Sequence, residues 1–312
     1  MQKTDKYYAW GITGPVVWMM QNAGRQSWLM TTIVGILAAL LLVGIFYLCK
    51  KKECCSKWVA CVAAIWVTIK LNYLLSVVGD CWIPDDSRIF VPLALLGLAV
   101  VLALKGEEKC RRSMPIIFWC IILGAGVLIA SAMRDMEWTM VLGTMRNKSI
   151  ESMVGFLLPL AIVFLPSTGE RRGLKWLVTS LCLSVALVAI QNGVLGQVYA
   201  MGVRNTAYEV SRSVGGHGGI NRIEPIVIAI MALGWFSVLL LHLTAAGEVS
   251  KRLLKQKQLG IAAVAVLAVV TWLLSVRISW QWLLGADMVL CTVLWMDSKI
   301  TRKNKRKTEK ST

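Results

Sequence analysis

Charge and histidine are scarce in this sequence. Of its 312 residues only 16% are charged, and only two are histidine. So few ionisable groups leave little material for the paired carboxylates or histidine clusters that acid–base or metal-dependent catalysis requires. Ser-x-x-Lys, His-Glu-x-x-His, the P-loop and the nucleophile elbow are all absent. Gly215-Gly216-His217-Gly218-Gly219 is glycine-rich, but no Gly-Lys-Ser/Thr follows and no strand precedes it. It reads as a turn between apolar spans, with a ligand-gating loop as the sharper alternative. The nine cysteines contain no Cys-x-x-Cys pair, which argues against a zinc site or a redox motif. Free cysteines of this kind pack as small hydrophobes. Met1–Lys6 leads into an apolar stretch with no small-residue cleavage site, so no cleaved signal is expected. Neither an enzyme nor a cofactor is expected.

Acids are outnumbered: 17 Asp and Glu stand against 34 Lys and Arg, a formal charge of +17. That balance would suit a nucleic-acid binder, but no zinc-finger spacing, RNP motif or isolated basic domain accompanies it. No nucleic-acid partner is expected. The excess suits membrane topology and attraction to anionic lipid instead.

Long apolar runs are what the chain has in abundance, with 57% of its residues hydrophobic. About 20 apolar residues carry an α-helix across a hydrocarbon core of about 30 Å. Ten such spans are expected, at roughly 7–22, 27–49, 58–78, 89–104, 115–133, 150–166, 174–200, 223–246, 259–276 and 278–296. Basic residues collect in every second connection: 24 of the 34 lie at the N-terminus, after spans two, four, six and eight, and in the tail. The positive-inside rule then places both termini in the cytoplasm. Residues 1–297 read as one ten-helix transmembrane domain with halves at about 7–133 and 150–296. Residues 298–312 read as a solvated, basic cytoplasmic tail.

Ten spans fit a five-plus-five inverted repeat of the LeuT type, in which the first helix of each half breaks near the bilayer midplane. The candidate breaks sit in corresponding places: Gly11-Ile12-Thr13-Gly14-Pro15 in span one and Gly155-Phe156-Leu157-Leu158-Pro159 in span six. Proline removes a backbone donor, and glycine costs helix stability. A bound amino acid would set its carboxylate against half-helix N-termini near Thr13–Pro15 and Gly155–Phe156. Phe156, with Lys70 or Tyr73 from span three, would cap the pocket. The candidate ligand-binding set is therefore Gly11, Thr13, Gly14, Pro15, Lys70, Tyr73, Gly155 and Phe156.

Lys70 is the most unusual single residue, about 12 residues or about 18 Å into span three at 1.5 Å per residue. A charge there costs at least about 2.5 kcal/mol on insertion scales. It must snorkel, find a structural partner, stand in for a coupling ion or meet a substrate carboxylate. Asp287 in span ten offers a partner to Lys70 or to Arg277. His242 in span eight reads as a packed, hydrogen-bonded histidine. Arg222 and Glu224 read as anchors at an interface, and Glu151 as a helix N-terminal acid. The tryptophans read as an interfacial belt.

Three segments carry a resemblance to a known family. Ala23-Gly24-Arg25-Gln26-Ser27-Trp28-Leu29 resembles the family's Ala-Gly-x-Asp-Ala-Trp stretch, with Gln26 where Asp is usual. Leu157-Leu158-Pro159 through Pro166 resembles the end of its sixth span. Ser211-Arg212-Ser213, the glycines, Asn221-Arg222-Ile223-Glu224 and then Gly234-Trp235-Phe236 resemble its Arg, small-loop, Arg-x-Asp/Glu and aromatic-rich eighth span. The family is the B subunit of bacterial spore nutrient-germinant receptors, within the amino acid–polyamine–organocation transporter superfamily. The resemblance implies a permease-like subunit in the spore inner membrane that senses a small nutrient, most often an amino acid. It also implies work beside germinant receptor A and C subunits. The competing readings are an amino-acid/proton secondary transporter and a degenerate membrane partner without a ligand site.

Overall fold

A computed structural model describes residues 8–48, 56–81, 87–143, 150–165, 174–214, 223–274 and 278–311. The regular structure of these residues is entirely helical. The long helices are α1 (Tyr8–Asn22), α2 (Trp28–Leu48), α3 (Lys57–Asp80), α4 (Ser87–Leu104) and α5 (Glu107–Ala132), then α8 (Leu174–Leu195), α11 (Glu224–Leu254), α12 (Lys257–Leu273) and α13 (Trp280–Ser311). Between them lie the short α6 (Trp138–Gly143), α7 (Ser152–Leu157), α9 (Gln197–Gly202) and α10 (Thr206–Val214). A 3-10 turn covers Ala23–Arg25, and a longer 3-10 helix, Leu158–Phe164, continues α7.

The molecule is inside-out by the standard of a water-soluble fold. Leu40, Trp58, Ile65, Phe90, Ile116 and Leu123 all point outward, whereas Lys70 and Asp287 have no exposure at all. Apolar side chains facing outward along the helices, with a charge pair held inside, are what a hydrocarbon solvent demands. Five helices, α2, α3, α5, α8 and α11, are long and apolar enough to cross a membrane. The chain is an all-α protein with the helices of a multi-pass membrane protein.

Ten full-length spans are not what the structure shows. α4, α12 and the segment Ser152–Phe164 are apolar but shorter. α1 has 15 residues. Gln281, Asp287 and Asp297 dilute the apolar stretch of α13. Span seven stops at Leu195, because Gly196 adopts φ +71°, a left-handed conformation that glycine takes without penalty. Span eight runs on to Leu254 and ends at Lys255 in a left-handed conformation, from which α12 departs at once. Through the basic tail α13 continues helical to Ser311.

The paired helix break expected of an inverted repeat is seen on one side only. α1 runs unbroken through Pro15, whereas the second segment changes from α-helix to 3-10 helix at Leu157–Leu158. The five-plus-five repeat is therefore not supported at the position where it makes its sharpest demand. α1 lies at the centre instead, with every residue from Trp10 to Gly24 buried. A helix apolar on all sides belongs inside a bundle. α1 packs on α8, α11, α7 and the 3-10 helix, and α11 also meets α3, α4, α5 and α12.

One end of the bundle is closed by side-chain-to-backbone hydrogen bonds. Gln21 Nε2 donates to the Val77 carbonyl at 2.9 Å, and Thr206 Oγ1 donates to the Gln21 carbonyl at 3.0 Å. Asn192 Nδ2 donates to the carbonyls of Gln26 (2.9 Å) and Ala23 (3.2 Å). Asn205 Nδ2 reaches the Cys81 carbonyl at 3.3 Å. These satisfy carbonyls that helix ends leave without partners. At the opposite end Lys257 and Glu248 join α12 to α11 as an ion pair.

Candidate functional site

Among the described residues the interior holds one fully buried charge pair. Lys70 Nζ on α3 lies 2.8 Å from Asp287 Oδ2 on α13. Trp66, one turn before Lys70, donates from Nε1 to the other carboxylate oxygen at 2.7 Å. The spacing is that of i and i+4, which places both donors on one face of α3. The Lys70 ammonium also sits 5.6 Å from the Trp66 ring centroid, within cation–π range. Trp66 packs at 5.9 Å from the His242 ring and 6.1 Å from Phe164. His242 Nδ1 lies 2.8 Å from the Val238 carbonyl and so carries the hydrogen. α3, α11, α13 and the 3-10 helix thus converge on Lys70.

Of the sequence's options for Lys70, the structural partner is the one present. The carboxylate of Asp287 takes the ammonium, and the indole of Trp66 takes the second oxygen. A buried pair of this kind needs its remaining lone pairs satisfied to offset desolvation. Trp66 meets that need, and sequence reading missed it, having assigned tryptophans to an interfacial belt. Trp58 and Trp282 at helix starts are exposed, but Trp10, Trp18, Trp66 and Trp235 are among the largest fully buried side chains.

The other sequence-selected residues collect around α1. Thr13 Oγ1 donates to its own helix, to the Ala9 carbonyl at 2.7 Å. A Cβ on Gly11 would strike the Trp176 ring, and one on Gly14 would lie 3.1 Å from Leu158 Cβ. On α7, a Cβ on Gly155 would sit 2.5 Å from Trp18 Cδ1. These glycines let α8, the 3-10 helix and α1 approach closely, as small residues do between membrane helices. Trp18 stacks on Tyr73 with centroids 6.0 Å apart, and meets Trp235 edge-on at 6.3 Å. Phe156, nearly buried, faces Gly35 of α2. Gly155, Gly14 and Tyr73 are therefore brought to one place around Trp18. Lys70 lies one turn from Tyr73 on the same helix but belongs to the Asp287 pair. The glycine run 215–219, Arg222 and Arg277 lie outside the described residues.

An apolar groove of about 390 Å³ runs between α4 and α12, lined by Leu93, Leu96, Val100, Ala265, Val266 and Val269. It presents aliphatic carbon and no polar side chain. Among the described residues no group of three or more His, Cys, Asp or Glu could hold a metal ion. No family model and no curated protein matches this chain.

Proposed function

We propose that this chain is a permease-like, nutrient-sensing subunit of a spore germinant receptor. It is a multi-pass protein of the inner membrane with both termini in the cytoplasm, and senses a small amino-acid-like nutrient beside A and C subunits. The observation that carries the reading is the change from α-helix to 3-10 helix at Leu157–Pro159, inside the bundle and against α1. Irregular backbone at membrane depth persists where protein buries it or where it lines a site. In transporter folds such discontinuities supply the backbone groups that hold a substrate. The residues offered are Gly155 and Phe156 on α7, Gly11, Thr13, Gly14 and Pro15 on α1, and Tyr73 with Lys70 on α3. The sensing role and the partner subunits come from the resemblance in 23–29, 157–166 and 211–236.

A second reading, a membrane partner without a ligand site, is favoured by the continuity of α1 and by the aromatic rings filling the space beside Gly11 and Gly155.

The deciding experiment is germination of spores lacking this gene, scored against single amino acids and other nutrients. Loss of response to one nutrient class, restored by the intact gene and not by Gly155→Leu, supports the sensor. Normal germination with altered solute uptake in growing cells moves the assignment to a transporter. No change in either supports the ligand-free partner.

A further inference from the structure

We infer that α2, α7 and α8 enclose a binding site for a small monovalent anion, a halide or a carboxylate, held by hydroxyl and carboxamide donors. This site borders Phe156, one of the residues offered for the nutrient, but its argument does not depend on the nutrient-sensing proposal.

Five buried polar side chains carry the inference. Thr31, Ser152, Ser184 and Gln191 have no exposure and Gln26 has 1%. The three hydroxyls and both amide atoms of both glutamines have no hydrogen-bond partner. Each such group, buried unpaired, has given up its hydration with no bond in return. Native interiors tolerate few of them, and those few call for an explanation.

Their positions coincide. Gly35 of α2 is the close-approach point, where an added Cβ would meet the Leu181 side chain of α8 and the Phe156 ring of α7 at 2.9 Å. One helical turn from that point toward the hydrogen-bonded end lies Thr31 on α2. One turn from Phe156 in the same direction lies Ser152, and from Leu181, Ser184. Residues three or four apart share a helix face, so the three hydroxyls stand at one level on the faces that meet at Gly35. Two turns beyond Ser184 on the same stripe comes Gln191. Its neighbour Asn192 bonds the Gln26 carbonyl at 2.9 Å, which brings Gln26 to the same end of α8 as Gln191. The three hydroxyls thus lie one turn from Phe156 and Leu181, on the side of the two carboxamides.

The free protons select the ligand class. A hydroxyl in a membrane helix normally spends its proton on the carbonyl one turn back, and Thr13, Thr32 and Thr244 do so at 2.7–2.8 Å. Such a hydroxyl still offers lone pairs to a cation. Thr31, Ser152 and Ser184 keep their protons uncommitted, and the two carboxamides add N–H donors. Convergent, unspent donors match an acceptor ligand. Neutral donors of this kind can hold at most a single negative charge, which limits the ligand to a monovalent anion.

The test is thermal unfolding of the full chain in lipid nanodiscs at constant ionic strength. Sodium chloride is titrated against sodium gluconate, whose anion is too large to enter. Choline chloride, sodium formate and glycine form separate arms. The expected result is an unfolding temperature that rises saturably with chloride and is indifferent to exchange of sodium for choline. Thr31→Val and Ser184→Ala should each raise the half-saturating concentration at least ten-fold. In gluconate Thr31→Val should unfold no lower than wild type, because it deletes an unpaired hydroxyl. A response to formate or glycine and not to chloride assigns the site to a carboxylate, free or carried by an amino acid. The inference is overturned if stability follows the cation, if no anion changes it, or if Thr31→Val keeps the full anion response.

Discussion

Lys70 and Asp287 are separated by 217 residues, yet their charged atoms lie 2.8 Å apart with neither side chain exposed. The pair ties α3 to α13, and Trp66 completes the coordination of the carboxylate. In a low-dielectric interior each charge depends on the other. Removing one partner leaves the other uncompensated, while removing both is far less costly.

Asp287→Asn should therefore destabilise the protein by about 3–5 kcal/mol, and the double variant Lys70→Met, Asp287→Leu should recover most of that loss. Denaturant unfolding of the purified protein measures both. Equal loss in single and double variants would show that the charges are not coupled.

Trp66→Phe keeps the ring that packs on Phe164 and His242 but deletes the N–H held by Asp287 Oδ1. The loss of one charge-assisted bond predicts a destabilisation of about 1.5–3 kcal/mol. The effect should vanish in the background of Asp287→Leu with Lys70→Met. Persistence there would assign the role of Trp66 to packing alone.

Glycine substitutions separate packing from helix propensity. Gly155→Ala thrusts a methyl to 2.5 Å from the Trp18 ring, and such overpacking costs about 1–3 kcal/mol. Gly97 and Gly44 have nothing within 4 Å of an added Cβ, so alanine there should stabilise by up to about 1 kcal/mol. Melting temperatures of the three variants test the order. A stabilised Gly155→Ala would mean that Trp18 yields.

Topology follows from the basic connections. With native cysteines replaced, Ser56→Cys before α3 should react with an impermeant maleimide only from the cytoplasmic face. Arg134→Cys after α5 should react only from the opposite face. Labelling of both from one side would refute the positive-inside assignment.

Much of the architecture was legible in the chain because the membrane acts as a local filter. An apolar run long enough to span needs no distant partner, so α2, α3, α5, α8 and α11 sit where hydropathy puts them. Boundaries slipped where local backbone chemistry intervened. Gly196 cut span seven, and Lys255 delayed the end of span eight. The candidate site was less legible. Gly11, Gly14 and Gly155 were singled out as helix breakers, but a glycine beside an aromatic ring has a steric use that sequence spacing does not reveal. Pro15 lies within α1 without interrupting it.

By itself the amino-acid sequence determined that this is a helical protein with the apolar spans of a multi-pass membrane protein. It also marked Lys70 as a charge that must be answered, because the energetic penalty of an isolated ion in hydrocarbon is a property of one residue and its solvent. Tertiary structure alone decided who answers it. It selected Asp287 and Trp66, turned α1 into a continuous central helix, and set Thr31, Ser152 and Ser184 at one level around Gly35. Those choices depend on which faces of sequence-distant helices touch, and close packing of specific shapes, rather than hydropathy, fixes that contact.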